Sequence, residues 1–246
     1  MNPQQALLDH LYQHEILYVD EIDRLQRQSE SVSIIAEKSI FTGGWIYLHA
    51  DQSSGDWNLA RQLGCPELAL AGLDRLPAEE IRLLVPPEAA GLVKHLHQEP
   101  DLIFFCSRES HADNEIELHA AEFSLKTAYE QNLPAIYLCR SDEICGYVRP
   151  IRQTRHFVEV YIELKPACRG KGLAKPLLAK AAAEIHKLQK KLYYAVSADN
   201  AASLQTARST GLQQIFSLCR FVINGSINSL QPRKGKFPTE SSSDRG

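Results

Sequence analysis

The residues best suited to chemistry lie in one basic turn, Cys168-Arg169-Gly170-Lys171-Gly172. It follows a strand-like run, Phe157 to Leu164, that stops at Lys165-Pro166, and it leads into a segment with helical spacing. A strand that ends at a glycine turn and feeds a helix gathers unpaired backbone N–H groups and the positive end of a helix dipole at one point. That suits an anion such as a pyrophosphate. Glycine at 170 and 172 lets the backbone come close to such a group, and Arg169 and Lys171 add attraction for phosphate. Along the strand the side chains alternate: Val158, Val160, Ile162 and Leu164 share one face, while Glu159, Tyr161 and Glu163 share the other. The second set holds two carboxylates and a phenol that could move a proton, or it is simply a polar sheet face.

The elements that must position these residues follow from periodicity. After the turn, Leu173, Leu177, Ala181, Ile185 and Leu188 form one face of a helix. Pro176 is harmless there if the helix starts near Leu173, because a first-turn donor has no partner inside the helix. Leu192 to Val196 reads as a compact strand, Ser197 to Asn200 caps a second helix over Ala201 to Ser209, and Ile215 to Ile223 reads as a last strand. Upstream, Asp101 to Cys106 reads as a buried strand and Glu115 to Gln131 as a helix. Ala135 to Cys139 and Ile144 to Val148 then read as a hairpin, followed by a loop from Arg149 to His156 that contains Pro150, Arg152 and Arg155.

The order from Asp101 is thus strand, helix, three strands, helix, strand, helix, strand. With Arg169-Gly170-Lys171-Gly172-Leu173-Ala174 at its centre, this resembles the GNAT acetyltransferases, whose acetyl-CoA signature R/Q-x-x-G-x-G/A lies between a strand and a helix. Pro166 precedes the arginine as the family's proline does, and Asn200, Ser203 and Gly211 match the N-x-x-A/S…G spacing of the next family motif. The resemblance implies an α/β (α+β) fold with a mixed, mostly antiparallel central sheet flanked by helices. It implies transfer of acetyl from acetyl-CoA, the co-substrate, to a primary amine of a small molecule or peptide. Arg169 to Ala174 would hold the pyrophosphate, and the pantetheine arm would run along backbone near Ile162 and Leu164, facing Asn200 and Ser203. Many GNAT enzymes use a glutamate of this strand as base, making Glu159 and Glu163 the candidates. The family's tyrosine acid is replaced by Ala207, leaving Tyr161, Tyr194 and Cys168 as substitutes. A non-catalytic CoA-binding module and a transferase using another acyl donor are the alternative readings.

Residues 1–96 carry no phosphate loop, metal set or nucleophile elbow. They read as an amphipathic helix within the first 30 residues, strands at Val32 to Ala36 and Trp45 to His49 around a turn at Thr42-Gly43-Gly44, and mainly helix over Trp57 to Leu96. The expected organisation is an additional N-terminal α/β region, 1–96, that either walls the acceptor pocket or is a degenerate GNAT-like copy, then a GNAT domain, 97–226, and a disordered tail, 227–246. The composition is 44% hydrophobic and 23% charged, with a net charge of −3 mixed along the chain, which gives no basis for a nucleic-acid surface. No apolar run approaches the roughly 18 residues of a membrane span, and Met1 to Arg27 is studded with acids and histidines, so the expectation is a cytoplasmic protein without a membrane partner. Six scattered cysteines support neither a zinc site nor a disulfide framework, and no metal is expected. A homodimer is the remaining partner carried forward.

Overall fold

The structure, a computed structural model, describes residues 8–9, 11–27, 32–38, 45–51, 57–63, 80–94, 96–108, 118 and 121–224. Eleven strands form one sheet: β1 Val32–Lys38, β2 Trp45–Asp51, β3 Trp57–Leu63, β4 Glu80–Val85, β5 His97–Cys106, β6 Phe123–Glu130, β7 Leu133–Arg140, β8 Glu143–Gln153, β9 Phe157–Leu164, β10 Lys191–Ser197 and β11 Gln213–Asn224. Their spatial order is β1-β2-β3-β4-β11-β5-β10-β9-β8-β7-β6. Only β3 with β4 and β9 with β10 are parallel; every other neighbouring pair is antiparallel. Helices α1 Val19–Arg27, α2 Ala174–Lys187 and α3 Ala201–Ser209 accompany the sheet, and Leu8, Asp9, Leu11 and Tyr12 are also helical.

Helix α2 begins one residue after Leu173, which puts Pro176 in the first turn, where its missing N–H costs nothing. Its apolar stripe, Leu177, Ala181 and Ile185 with Leu178 and Ala182, is buried against Ile136, Leu138, Val148, Val158 and Val160 of the sheet. Leu188, at the end of the same stripe, is exposed. On the opposite sheet face α1 packs beside β8, and its Val19 joins Phe104, Phe157, Tyr193 and Leu218 in a second apolar cluster.

Several expectations are corrected. The segment read as a helix over Glu115 to Gln131 holds strand β6 from Phe123; the rest of that segment, Leu118 and residues 121–122 apart, lies outside the described residues. Phe123 and Leu125 alternate with Ser124 and Lys126, a period of two, and Gln131 and Asn132 adopt positive φ of 51° and 65°, as a two-residue hairpin turn requires. The described residues of Trp57 to Leu96 are not mainly α-helical: they form β3, β4 and a short 3-10 turn, Pro87–Leu92, and residues 64–79 lie outside the described residues. β4 is a central strand between β3 and β11, and these long-range pairings override local propensity. The N-terminal helix is broken by a 3-10 turn, Glu15–Leu17, before α1. The expected loop from Arg149 to His156 is instead largely strand, because β8 runs on to Gln153 through a register shift between Pro150 and Arg152. The turn at Thr42-Gly43-Gly44 and the tail from residue 227 lie outside the described residues.

Candidate active site

The site begins where two parallel strands part. β9 and β10 pair from Phe157 with Lys191 to Glu159 with Tyr193, and no further. Beyond that point β9 stays bonded to β8 as far as Leu164 opposite Gly146, and β10 stays bonded to β5 as far as Ser197 opposite Leu102. The inner edges of Val160 to Leu164 and Tyr194 to Ser197 therefore face each other across a cleft of about 420 Å³. Gly146 makes the outer support close: a Cβ there would lie 2.7 Å from the Glu163 carbonyl oxygen and 2.3 Å from a Leu164 methyl.

At the wide end of the cleft, β9 leads into a 3-10 turn, Pro166–Cys168, and then Arg169 to Leu173. Gly170 and Gly172 both have φ of +73°, a conformation that side-chain-bearing residues rarely adopt, and the space where a Cβ would stand is open at both. The turn therefore presents backbone to the first turn of α2, as the motif predicts. Arg169 lines the cleft and its Nε donates to the Leu164 carbonyl at 2.9 Å, which ties the arginine to the strand end. Ala174 also lines the cleft, whereas the Leu173 side chain is buried in the core, so only its backbone can serve a ligand. Lys171 is exposed. Across the cleft, Asn200 caps α3 by accepting from the Ser203 N–H at 3.1 Å, and both residues line the cavity. Ile162 and Leu164 line the β9 wall.

Glu159, Tyr161 and Glu163 all line the cleft, in different settings. Glu159 stands at the apex, buried, and accepts from Arg152 at 3.0 Å. Burial pushes its carboxyl up from the ordinary value, with the guanidinium pulling the other way. Arg152 reaches this place because the register shift in β8 sets it opposite Glu159. It also bridges to Asp20 of α1 at 2.5 Å, and these two carboxylates outweigh the burial that opposes its charge. Tyr161 is 49% exposed, and its ring lies 6.3 Å from that of Tyr147. Glu163 is exposed and accepts from the Tyr147 hydroxyl at 2.6 Å. Tyr194, on the β10 wall, hydrogen-bonds Ser203, and burial raises its phenol. Ala207 is fully buried one turn along α3 from Ser203, in the same core cluster as Tyr194.

Sequence reasoning missed Arg152, Asp20 and Tyr147. The arginines between β8 and β9 were visible, but their partners depend on the register shift and on α1. Helix α1 and the turn before it are held to this end of β8 and β9 by further bonds. The Gln153 N–H donates to Asp23 at 2.8 Å, and His156 donates its N–H to Glu15 at 2.8 Å with its Nδ1 at 2.7 Å from the same carboxylate. Burial works to raise the Glu15 carboxyl, yet hydrogen bonds from Thr154 and His156 hold it below the ordinary value.

Among the described residues no group of three or more His, Cys, Asp or Glu is arranged to hold a metal ion, and no helix is long and apolar enough to cross a membrane. Residues 95–212 match the model of the acetyltransferase (GNAT) family. No curated protein matches the chain. Solved structures do: a tandem GNAT protein from the clavulanic acid biosynthesis pathway superposes with a TM-score of 0.62 at 12% identity, covering 90% of this chain and 94% of that one. A Drosophila protein gives 0.60 at 14% identity, with 89% and 95% covered. A GCN5-related N-acetyltransferase from Kribbella flavida gives 0.60 at 13% identity, with 84% and 95% covered. At such identities the likeness concerns the fold, and it extends over both halves of the chain. The family match over residues 95–212 falls on the parted strands and the glycine turn, so this part of the chain is similar to the acetyltransferases of the GNAT family.

Proposed function

We propose that this protein is an N-acetyltransferase that transfers the acetyl group of acetyl-CoA to a primary amine of a small molecule or peptide by direct attack. The observation that carries this reading is the cleft between β9 and β10, with two positive-φ glycines at its wide end and a buried carboxylate at its apex. The residues fit the donor: open strand edges suit an amide-bearing arm, and the turn from Arg169 to Ala174 suits a pyrophosphate. Bound there, acetyl-CoA would supply an activated acyl group on a thiol that leaves readily.

The chain's own residues then have distinct tasks. Arg169, Lys171 and the backbone from Gly170 to Ala174 hold phosphate. Ile162 and Leu164 offer backbone groups to the arm, opposite Asn200 and Ser203. Glu159 accepts the proton of the attacking ammonium, directly or through water, and its raised carboxyl value brings its basicity toward neutral pH, where a general base works best. Glu163 and Tyr161 lie further from the apex, and we assign them to the acceptor's entry. Tyr194, on the opposite wall with its hydroxyl at Ser203, is the group suited to protonate the leaving thiolate in place of a tyrosine at Ala207.

The test is release of CoA thiol over a panel of primary amines, with Glu159→Gln beside the natural protein. Turnover should fall by about 10²–10⁴ in the variant while calorimetric CoA affinity is kept. Full activity in Glu159→Gln sinks the base assignment. CoA binding without turnover on any amine class would assign a non-catalytic module, and no binding to acetyl-CoA would point to another acyl donor.

A further inference from the structure

Two buried thiols meet beneath the glycine turn, and none of the steps above uses either. Cys145 lies on β8 beside Gly146, and Cys168 closes the 3-10 turn before Arg169; each is 5% exposed. Backbone bonds bring them together. The Lys165 N–H donates to the Cys145 carbonyl at 2.8 Å, and the Cys168 N–H donates to the Lys165 carbonyl at 2.8 Å, so the turn folds Cys168 back over the start of β8. Both side chains belong to one buried cluster, where the Cys145 thiol donates to the Glu143 carbonyl at 3.6 Å and lies near enough to raise the Cys168 thiol.

We propose that Cys145 and Cys168 form a reversible dithiol–disulfide pair whose oxidation weakens CoA binding, an inference that rests on reading the adjoining turn as the CoA cradle. With hydrogen peroxide as the oxidant, the Cys168 thiolate attacks one oxygen and the O–O bond breaks, leaving a sulfenic acid and, after proton uptake, water. The Cys145 sulfur then attacks that sulfur; the S–S bond forms, the S–O bond breaks, and a second water leaves with the Cys145 proton. Two thiols have lost two electrons and two protons, and peroxide has become two waters. A disulfide holds its sulfurs at about 2.05 Å, well inside the separation of two sulfurs that are not bonded to each other. Closing that gap draws Cys168 toward β8, and Arg169 and Gly170 follow it in the chain.

The setting also predicts the rate. Burial and the neighbouring Cys145 push the Cys168 thiol up, against the attraction of Lys171 and Arg140, so oxidation accelerates as pH rises and more thiolate is present. Cys106, on β5, is pushed up by burial to about 11 and donates to the Ser107 carbonyl at 3.4 Å.

The experiment treats the full chain with hydrogen peroxide at mildly alkaline pH, caps the remaining thiols and maps cross-linked peptides by mass spectrometry. CoA is titrated calorimetrically before oxidation, after it, and after dithiothreitol. The expected result is a Cys145–Cys168 cross-link, a CoA affinity about tenfold weaker and restored by dithiothreitol, and no response in Cys145→Ser or Cys145→Ala. Absence of the cross-link, or a cross-linked protein with unchanged CoA affinity, overturns the proposal. Reduced protein that fails to bind CoA overturns the acetyl-CoA reading and with it the effect on affinity, while the cross-linked peptide still reports the pair itself.

Discussion

At Glu159 burial raises the carboxyl more than Arg152 lowers it, which suits the base proposed there. The sign of the pH effects follows. Catalysis needs the deprotonated form, so the acid limb of the kcat/KM profile should lie above the usual carboxylate range and disappear in Glu159→Gln. Stability runs the other way: the folded state holds this proton more tightly than the unfolded chain, so the contribution of Glu159 declines as pH rises from about 4.3 through the folded value. Chemical denaturation across pH on the natural protein and Glu159→Gln measures that difference. Gly172 has a simpler constraint. Its φ of +73° leaves room for a side chain but not for the backbone of an L-residue, so Gly172→Val should rebuild the turn and weaken CoA binding by at least about tenfold. Unchanged affinity by calorimetry would place the phosphate site elsewhere.

At the scale of elements, the cleft depends on how β8 holds the outside of β9. Gly146 lies opposite Leu164 with no room for a Cβ, so Gly146→Val should push the end of β9 away, lower the melting temperature and weaken CoA binding together. A variant that melts like the natural protein would show that β8 can yield at this point. Arg152 joins three elements: β8, the Glu159 of β9 and the Asp20 of α1. Arg152→Ala leaves the buried Glu159 without its cation, while Asp20 keeps Arg24 at 2.8 Å, and should cost about 3–5 kcal/mol. That deficit should narrow as pH falls, because protonating Glu159 removes the uncompensated charge; denaturant titration at two pH values checks the trend. The Pro150–Arg152 register shift explains why the arginine was legible in the sequence but its partner was not.

At the scale of the whole molecule, one order of pairings occurs twice. β1, β2 and β3 form an antiparallel meander, β4 is parallel to β3, and β11 is antiparallel to β4; β7, β8 and β9 form a meander, β10 is parallel to β9, and β5 is antiparallel to β10. This supports reading residues 1–96 as a degenerate copy of the fold that lost the cradle, a proposal no internal repeat in the sequence had suggested. The two units share strands, since β11, at the C-terminal side, lies between β4 and β5. A chain lacking residues 1–96 would strip the β4 edge from β11 and remove α1 from β8. It should melt well below the full protein or fail to stay in solution, as thermal unfolding and sedimentation would register. An equally stable fragment would mean that the first 96 residues are an appendage.

The sequence by itself determined what is decided within a few residues: the glycine turn, the start of α2 around Pro176, the Asn200 cap, the hairpin at Arg140 to Glu143, and the alternation that puts Glu159, Tyr161 and Glu163 on one face. Each depends on local sterics or on hydrogen bonds over one turn, so residue type suffices. Only the tertiary structure decided that Phe123 to Glu130 and Glu80 to Val85 are strands, that β9 and β10 part after Glu159, and that Arg152 and Asp20 surround that glutamate. A strand is defined by partners that may lie more than a hundred residues away, as β4 and β11 do. The charge on a buried carboxylate is likewise set by neighbours that only folding assembles.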